Sequence, residues 1–129
     1  MSIHRGKHTL LNFINFIIPR RNLDVAYLNI KGQTRQILTD NDLRIVDYAG
    51  KVFLNPEVSE YGFTMAHLLD ESHLSLHAYT ESHIGKLAVD LFTCSRNPVN
   101  HMNAVVDLTE FLIDNYNCIL ENQQTIDRF

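Results

Sequence analysis

The stretch "SHLSLHAYTESHIGKLAVDLFTC", Ser72 to Cys94, decides the fold. Its first part alternates. Ser72, Leu74, Leu76 and Ala78 leave one side of an extended chain, and His73, Ser75, His77 and Tyr79 leave the other. "TESHIGK", Thr80 to Lys86, supplies a turn, and "LAVDLFTC" returns with Leu87, Val89 and Leu91 on a single face. Two arms, each apolar on one face only, predict an antiparallel hairpin covered on one side.

The neighbouring segments extend this reading. "YGFTMAHLLDE", Tyr61 to Glu71, predicts a strand leading into the hairpin, and "DLRIVDYAGKVFL", Asp42 to Leu54, an extended segment with a hairpin around Ala49-Gly50. "NLDVAYLNIKGQTRQILTD", Asn22 to Asp40, predicts an amphipathic helix through Leu23, Val25, Ala26, Leu28 and Ile30, weakened in its middle by Gly32. "KHTLLNFINFII", Lys7 to Ile18, reads as a first strand stopped by Pro19. After the hairpin, "NPVNHMNAVVDLTEFLIDNY" predicts a helix with Asn97 as N-cap and Pro98 at its first position, and "NCILENQQTI" a short last strand. Strands joined mostly as hairpins, with two helices, give the α+β class: an antiparallel sheet with helices packed on one face.

The 129 residues suit one domain, 1–129, and 45% hydrophobic content suits a packed core. A chain of this size has little burial to spare, so oligomerisation is a natural supplement. Fifteen acidic against eleven basic residues, net charge −4, speak against nucleic acid as the main partner. The short basic "PRRN", Pro19 to Asn22, reads as a solvated turn. Met1 to Leu10 is too polar for a signal peptide, and "LLNFINFII" is too short and too interrupted to span a bilayer. Cys94 and Cys118 read as free thiols. The expectation is a cytoplasmic protein without membrane contact.

Glu71, Ser72, His77, Glu81 and Cys94 lie close together in the chain, and three chemistries compete for them. Zinc is one, because His73 and His77 are four apart with His67 and His83 nearby. On a strand, however, those two imidazoles lie roughly 13 Å apart. A serine or cysteine hydrolase is another, but no Gly-x-Ser-x-Gly elbow is present. In the third, the Ser72 hydroxyl attacks the Glu71 carbonyl and converts the amide to an ester. Elimination then splits the chain, and loss of ammonia leaves a pyruvoyl group, with His77 suited to the proton traffic. Patterning alone ranks an ordinary polar turn above all three.

"ESHLSLHAYTE" followed by "AVDLFTC" resembles the prokaryotic type of S-adenosylmethionine decarboxylase, whose hallmark is close to ESHLSIHTWPE, a short turn, then A-[VI]-D-x-F-T-C-G. The match is strongest from Tyr61 to Ser95 and extends more weakly to the "GKH" of Gly6 to His8 and to the helix after the hairpin. The resemblance implies a two-layer α/β sandwich and a proenzyme that cuts itself into 1–71 (β chain) and 72–129 (α chain). It implies a metal-free pyruvoyl cofactor made from Ser72 and decarboxylation of S-adenosylmethionine for spermidine and other polyamines. A homodimer of processed units is implied as well. By the same resemblance Ser72 is the pyruvoyl precursor and Schiff-base former, and Glu71 ends the β chain. His77 moves the proton in processing and Thr64 assists it, where relatives commonly have serine. Cys94 protonates the α-carbon after carbon dioxide leaves, and Glu81 binds the ribose hydroxyls. Phe53 and Tyr79 are candidates for further substrate contacts. The hairpin is then expected to gather Cys94 and His77 into one pocket with the new N-terminus.

The sequence departs from the pattern in places. "SHIGKL" is two residues longer than the usual loop, Tyr79-Thr80 replaces Trp-Pro, Ser95 replaces a glycine, and Asn12 stands where many relatives have glutamate. Two other readings accompany this one: the same chemistry on arginine or ornithine, and a catalytically silent regulatory homologue.

Overall fold

Alternation sets the sheet. In the computed structural model, which describes residues 6–55, 60–94 and 98–128, the strands are β1 (Gly6–Ile14), β2 (Ile45–Asn55), β3 (Glu60–Leu69), β4 (His73–Tyr79), β5 (Lys86–Thr93) and β6 (Ile119–Arg128). They form one sheet in the order β2-β3-β4-β5-β1-β6, with every pairing antiparallel. Helices α1 (Leu23–Asp40) and α2 (Pro98–Tyr116) supply the second layer. Leu11, Phe13, Phe63, Met65, Leu74, Leu76, Leu87, Val89 and Leu91 are buried in the core beneath them. The architecture is the α+β sheet with helices on one face that the alternation predicts.

The helices are positioned by inward stripes. α1 buries Leu23, Ala26, Ile30, Thr34 and Leu38, and α2 buries His101, Ala104, Val105, Leu108 and Leu112, both close to a 3.6-residue period. Val25 and Leu28 lie off the α1 stripe and face out, at 72% and 63% exposure. Gly32 does not interrupt α1. The helix ends in a Schellman motif: Leu43 N–H reaches the Leu38 carbonyl at 2.9 Å and Asp42 N–H the Thr39 carbonyl at 3.1 Å. Asp42 takes the left-handed conformation, φ 59°. That stop turns the chain into β2 beside the β3–β4 turn.

Three expectations need correction. The first strand ends at Ile14, because Asn15 is left-handed at φ 58° and lifts Phe16 and Ile18 out of the ladder into the core. Ala49-Gly50 is no hairpin. β2 runs straight through, pairing Ala49 with Ala66 and Gly50 with Met65. Gly50 serves packing instead, since a side chain there would strike the hydroxyls of Tyr27 and Tyr48, which hydrogen bond above it. The last strand is also longer than expected, ten residues along β1. The proposed cap at Asn97 and the altered Ser95 lie outside the described residues.

Candidate functional site

β3 turns into β4 through Asp70 and Glu71, closed by a 2.9 Å hydrogen bond from the Leu69 N–H to the Ser72 carbonyl. β5 runs beside β4 with His73 opposite Phe92, so Cys94 emerges next to Ser72. The Cys94 main-chain N–H donates to Ser72 Oγ at 3.0 Å. Ser72 and Cys94 share a cavity of about 270 Å³ with Leu43, Arg44, Asp70 and Glu71. Arg44 faces Asp70 across it at 4.0 Å, a solvated pair that stabilises little. The scissile bond of the third chemistry therefore lies in an accessible turn with its hydroxyl already held.

On the uncovered face of the sheet this end carries an aromatic group. His73 stacks on Phe92 with centroids 5.9 Å apart, His8 meets Phe92 edge-on at 5.8 Å, and the Arg128 guanidinium lies 5.3 Å from the Phe92 centroid. His8 Nε2 is buried with no hydrogen-bond partner.

The remaining site residues gather at the opposite end of β4. Thr64 and His77 are cross-strand partners, with Thr64 Oγ1 3.3 Å from His77 Nδ1. His77 and Tyr79 line a second cavity of about 380 Å³ with Asn12, Ala88 and Glu121. Tyr79 meets Phe53 edge-on at 5.6 Å. They close over Gly62, where any side chain would strike the Ala78 carbonyl and the Phe53 ring. Glu81 is 3% exposed. One carboxylate oxygen accepts from the Tyr61 N–H at 3.3 Å and the other, Oε1, has no partner. His77 pairs with Ala88, six residues before Cys94, and stands five strand residues, roughly 16 Å, from Ser72. The structure brings Ser72 and Cys94 together, and Thr64 with His77, but one chain does not unite the two groups in a single pocket.

The histidines have separate surroundings. His67 turns toward the helices and meets Thr34 of α1 at 2.8 Å, His73 rests on Phe92, and His77 on Thr64. Among the described residues no three His, Cys, Asp or Glu side chains converge as a metal site. The cysteines also differ. Cys118 is buried with its thiol directed at the Leu112 carbonyl at 3.4 Å, and burial pushes its pKa up to about 11, whereas Cys94 opens into the Ser72 cavity. Both are free.

One buried polar group escapes motif reading. His101 of α2 is fully buried, with Nε2 2.7 Å from Thr9 Oγ1 and Nδ1 2.8 Å from Thr93 Oγ1, and Thr9 in turn meets Thr125 at 2.9 Å. Burial, with Lys7 and His8 adding to it, lowers the His101 pKa to about 4. The available signal was its place in the stripe of residues 101, 104, 105, 108 and 112, which sets a histidine on the buried face. No helix among the described residues is long and apolar enough to cross a membrane.

Comparison with known proteins bears on this geometry. Residues 27–123 match the family model described as S-adenosylmethionine decarboxylase. A Bacillus cereus protein named S-adenosylmethionine decarboxylase proenzyme 2 is 45% identical over 51 residues, which take in 37% of this chain and 40% of that relative's length. The crystal structure of the adenosylmethionine decarboxylase from Aquifex aeolicus superimposes with a TM-score of 0.66, covering 98% of this chain and 91% of that one. At 20% identity, that likeness speaks for the fold. With three quarters of its length inside the family model, and the Glu71-Ser72 turn and its cysteine inside the match, this chain belongs to the S-adenosylmethionine decarboxylase family.

Proposed function

We propose that the protein cuts itself between Glu71 and Ser72 and then decarboxylates S-adenosylmethionine, yielding the aminopropyl donor for spermidine. The observation that carries this reading is the 3.0 Å hydrogen bond from the Cys94 main-chain N–H to the Ser72 hydroxyl oxygen, in a cavity that both residues line.

Cleavage begins when Ser72 Oγ attacks the Glu71 carbonyl carbon. The hydroxyl proton leaves to a base, the Ser72 nitrogen departs protonated, and an ester replaces the amide. Loss of the Ser72 α-proton then breaks the Cβ–O bond, and the oxygen leaves as part of the new Glu71 carboxylate. Water replaces nitrogen at the former α-carbon, with release of ammonia. The Cys94 N–H bonds the oxygen that attacks and later leaves, so it can stabilise negative charge there as the hydroxyl loses its proton and again as the carboxylate departs. Ser72, half-buried in an open turn, fits as precursor of the pyruvoyl group, which supplies an electron sink for decarboxylation once formed. The Cys94 thiol is the proton donor to carbon. Glu81 Oε1, buried without a partner, is suited to accept from a ribose hydroxyl, and the Phe53–Tyr79 pair offers ring faces to adenine.

The roughly 16 Å between His77 and Ser72 supports a site shared by two chains. β4 separates the two groups, with Thr64 and His77 toward one end on the uncovered sheet face and Ser72 in the turn at the other end. A two-fold axis through the middle of that face sets Thr64, His77 and Glu81 of one protomer against Ser72 and Cys94 of its partner. Ala66, Ser75 and Ala88, small residues near the middle of that face, permit close approach. The working unit is then a homodimer. Two free thiols suit a reducing compartment, the cytoplasm.

Intact-mass measurement tests the reading. The wild type should appear as two chains, Met1–Glu71 and a pyruvoyl-started segment ending at Phe129, and Ser72→Ala should stay whole. Processed protein should release labelled carbon dioxide from carboxyl-labelled S-adenosylmethionine. An uncut wild type that no carbonyl reagent labels rejects the proposal.

A further inference from the structure

The buried group around His101 has no part in the chemistry above, yet it ends against the reacting turn. α2 lies over β1, β5 and β6, and His101 reaches down to all three: directly to Thr9 of β1 and Thr93 of β5, and through Thr9 to Thr125 of β6. Thr93 is the last residue of β5, and the next main-chain N–H is the one that holds Ser72 Oγ. The Thr93 peptide therefore ends at that donor. Its direction is set by the ladder on one side and by the Thr93 side chain on the other. Beyond Thr93 the ladder gives no further support, since the pairing of β5 with β4 ends at Phe92 and that with β1 at Thr93.

We propose that His101, through its hydrogen bond to Thr93, is a positioning residue that aims the Cys94 main-chain N–H at the Ser72 hydroxyl and thereby sets the rate of self-cleavage. The inference rests on the reading that the Glu71-Ser72 bond is the one cut. A neutral imidazole suits the task, because one ring nitrogen donates and the other accepts, so both threonine hydroxyls are held at once. The depressed proton affinity of His101 agrees with that neutral form. His67 and Thr34 provide an internal control: the same kind of buried helix-to-sheet bond, at 2.8 Å, on α1 and without a link to Cys94.

The test compares cleavage rates of freshly made chains by intact mass. Thr93→Val keeps the side-chain shape and removes the hydroxyl. It should slow cleavage about tenfold, the loss of one hydrogen bond in the transition state, and Thr93→Ser should restore it. His101→Leu should slow cleavage as much, and the double variant no further, since both changes remove one interaction. Thr34→Val should lower thermal stability yet leave the rate within about twofold of wild type. Wild-type cleavage by Thr93→Val, additive slowing in the double variant, or equal slowing by Thr34→Val would overturn the proposal. If the wild type proves uncut, the functional reading fails separately. Hydrogen exchange at the Cys94 amide of that intact chain then decides the positioning claim, which requires faster exchange in Thr93→Val and none of that effect in Thr34→Val.

Discussion

Cys94 contributes two different groups to one turn, and they can be separated. Its thiol is the proposed proton donor, and its main-chain N–H holds the Ser72 oxygen in the cavity both residues line. Cys94→Ala removes only the first. Self-cleavage of this variant should therefore go on, visible as two chains by mass, while carbon dioxide release falls by about 100-fold or more, the usual contribution of a positioned general acid. Loss of both together would place the thiol in the cleavage step as well. The candidate site residues could be picked out in the sequence because Glu71-Ser72, His77, Glu81 and Cys94 fall at fixed intervals along one hairpin. The N–H donor could not, since any residue carries one, and only the register of β4 against β5 brings it to the serine.

At the level of elements, the strands were readable wherever one face was covered, as in Leu74, Leu76 and Ala78 of β4 and Leu87, Val89 and Leu91 of β5. β2 was misread because Ala-Gly is a local turn signal, whereas its conformation is set by the Tyr27 and Tyr48 hydroxyls, which need the space over Gly50. Each helix is also tied to the sheet by a buried neutral histidine, α1 through Thr34–His67 and α2 through His101. Burial, with Arg35 and Lys31 adding to it, lowers the His67 pKa to about 4, as burial also does for His101. Above the ordinary histidine pKa near 6.5 both folded and unfolded chains carry these rings neutral, and the shifts cost nothing. Between pH 6.5 and 4 the unfolded chain takes up protons that the folded one refuses, so stability is lost as pH falls, by roughly 3 kcal/mol per histidine at most. Chemical denaturation of the uncleavable Ser72→Ala chain at pH 7 and pH 4.5 should show this loss, and His67→Gln should flatten its share. An equally steep profile in His67→Gln would mean that ring is protonated within the fold.

For the whole molecule, the decisive arrangement is the sheet face that no helix covers. Thr64–His77 stand on it toward one end of β4, and the Glu71-Ser72 turn lies at the other end of that strand. The alternation already implied that spacing, since it sets His73 and His77 roughly 13 Å apart along a strand, and the expectation of one pocket holding His77, Cys94 and the new N-terminus overlooked it. On the proposed shared site, the base that acts on Ser72 is the partner protomer's imidazole, and complementation is a direct test of that proposal. His77→Ala should stay whole when made alone, because neither protomer of its dimer supplies the imidazole. Ser72→Ala should stay whole because it lacks the nucleophile. When the two are made together, a mixed dimer sets the Ser72 of the His77→Ala chain against the intact His77 of the Ser72→Ala chain. Mass analysis should then find cleavage products carrying the His77→Ala substitution, and none from the Ser72→Ala chain. Independent tags on the two chains identify which one was cut. Persistence of both chains uncut, in a mixed dimer isolated through those tags, would show that His77 reaches its own Ser72 by a rearrangement of β4 and that the shared site is wrong.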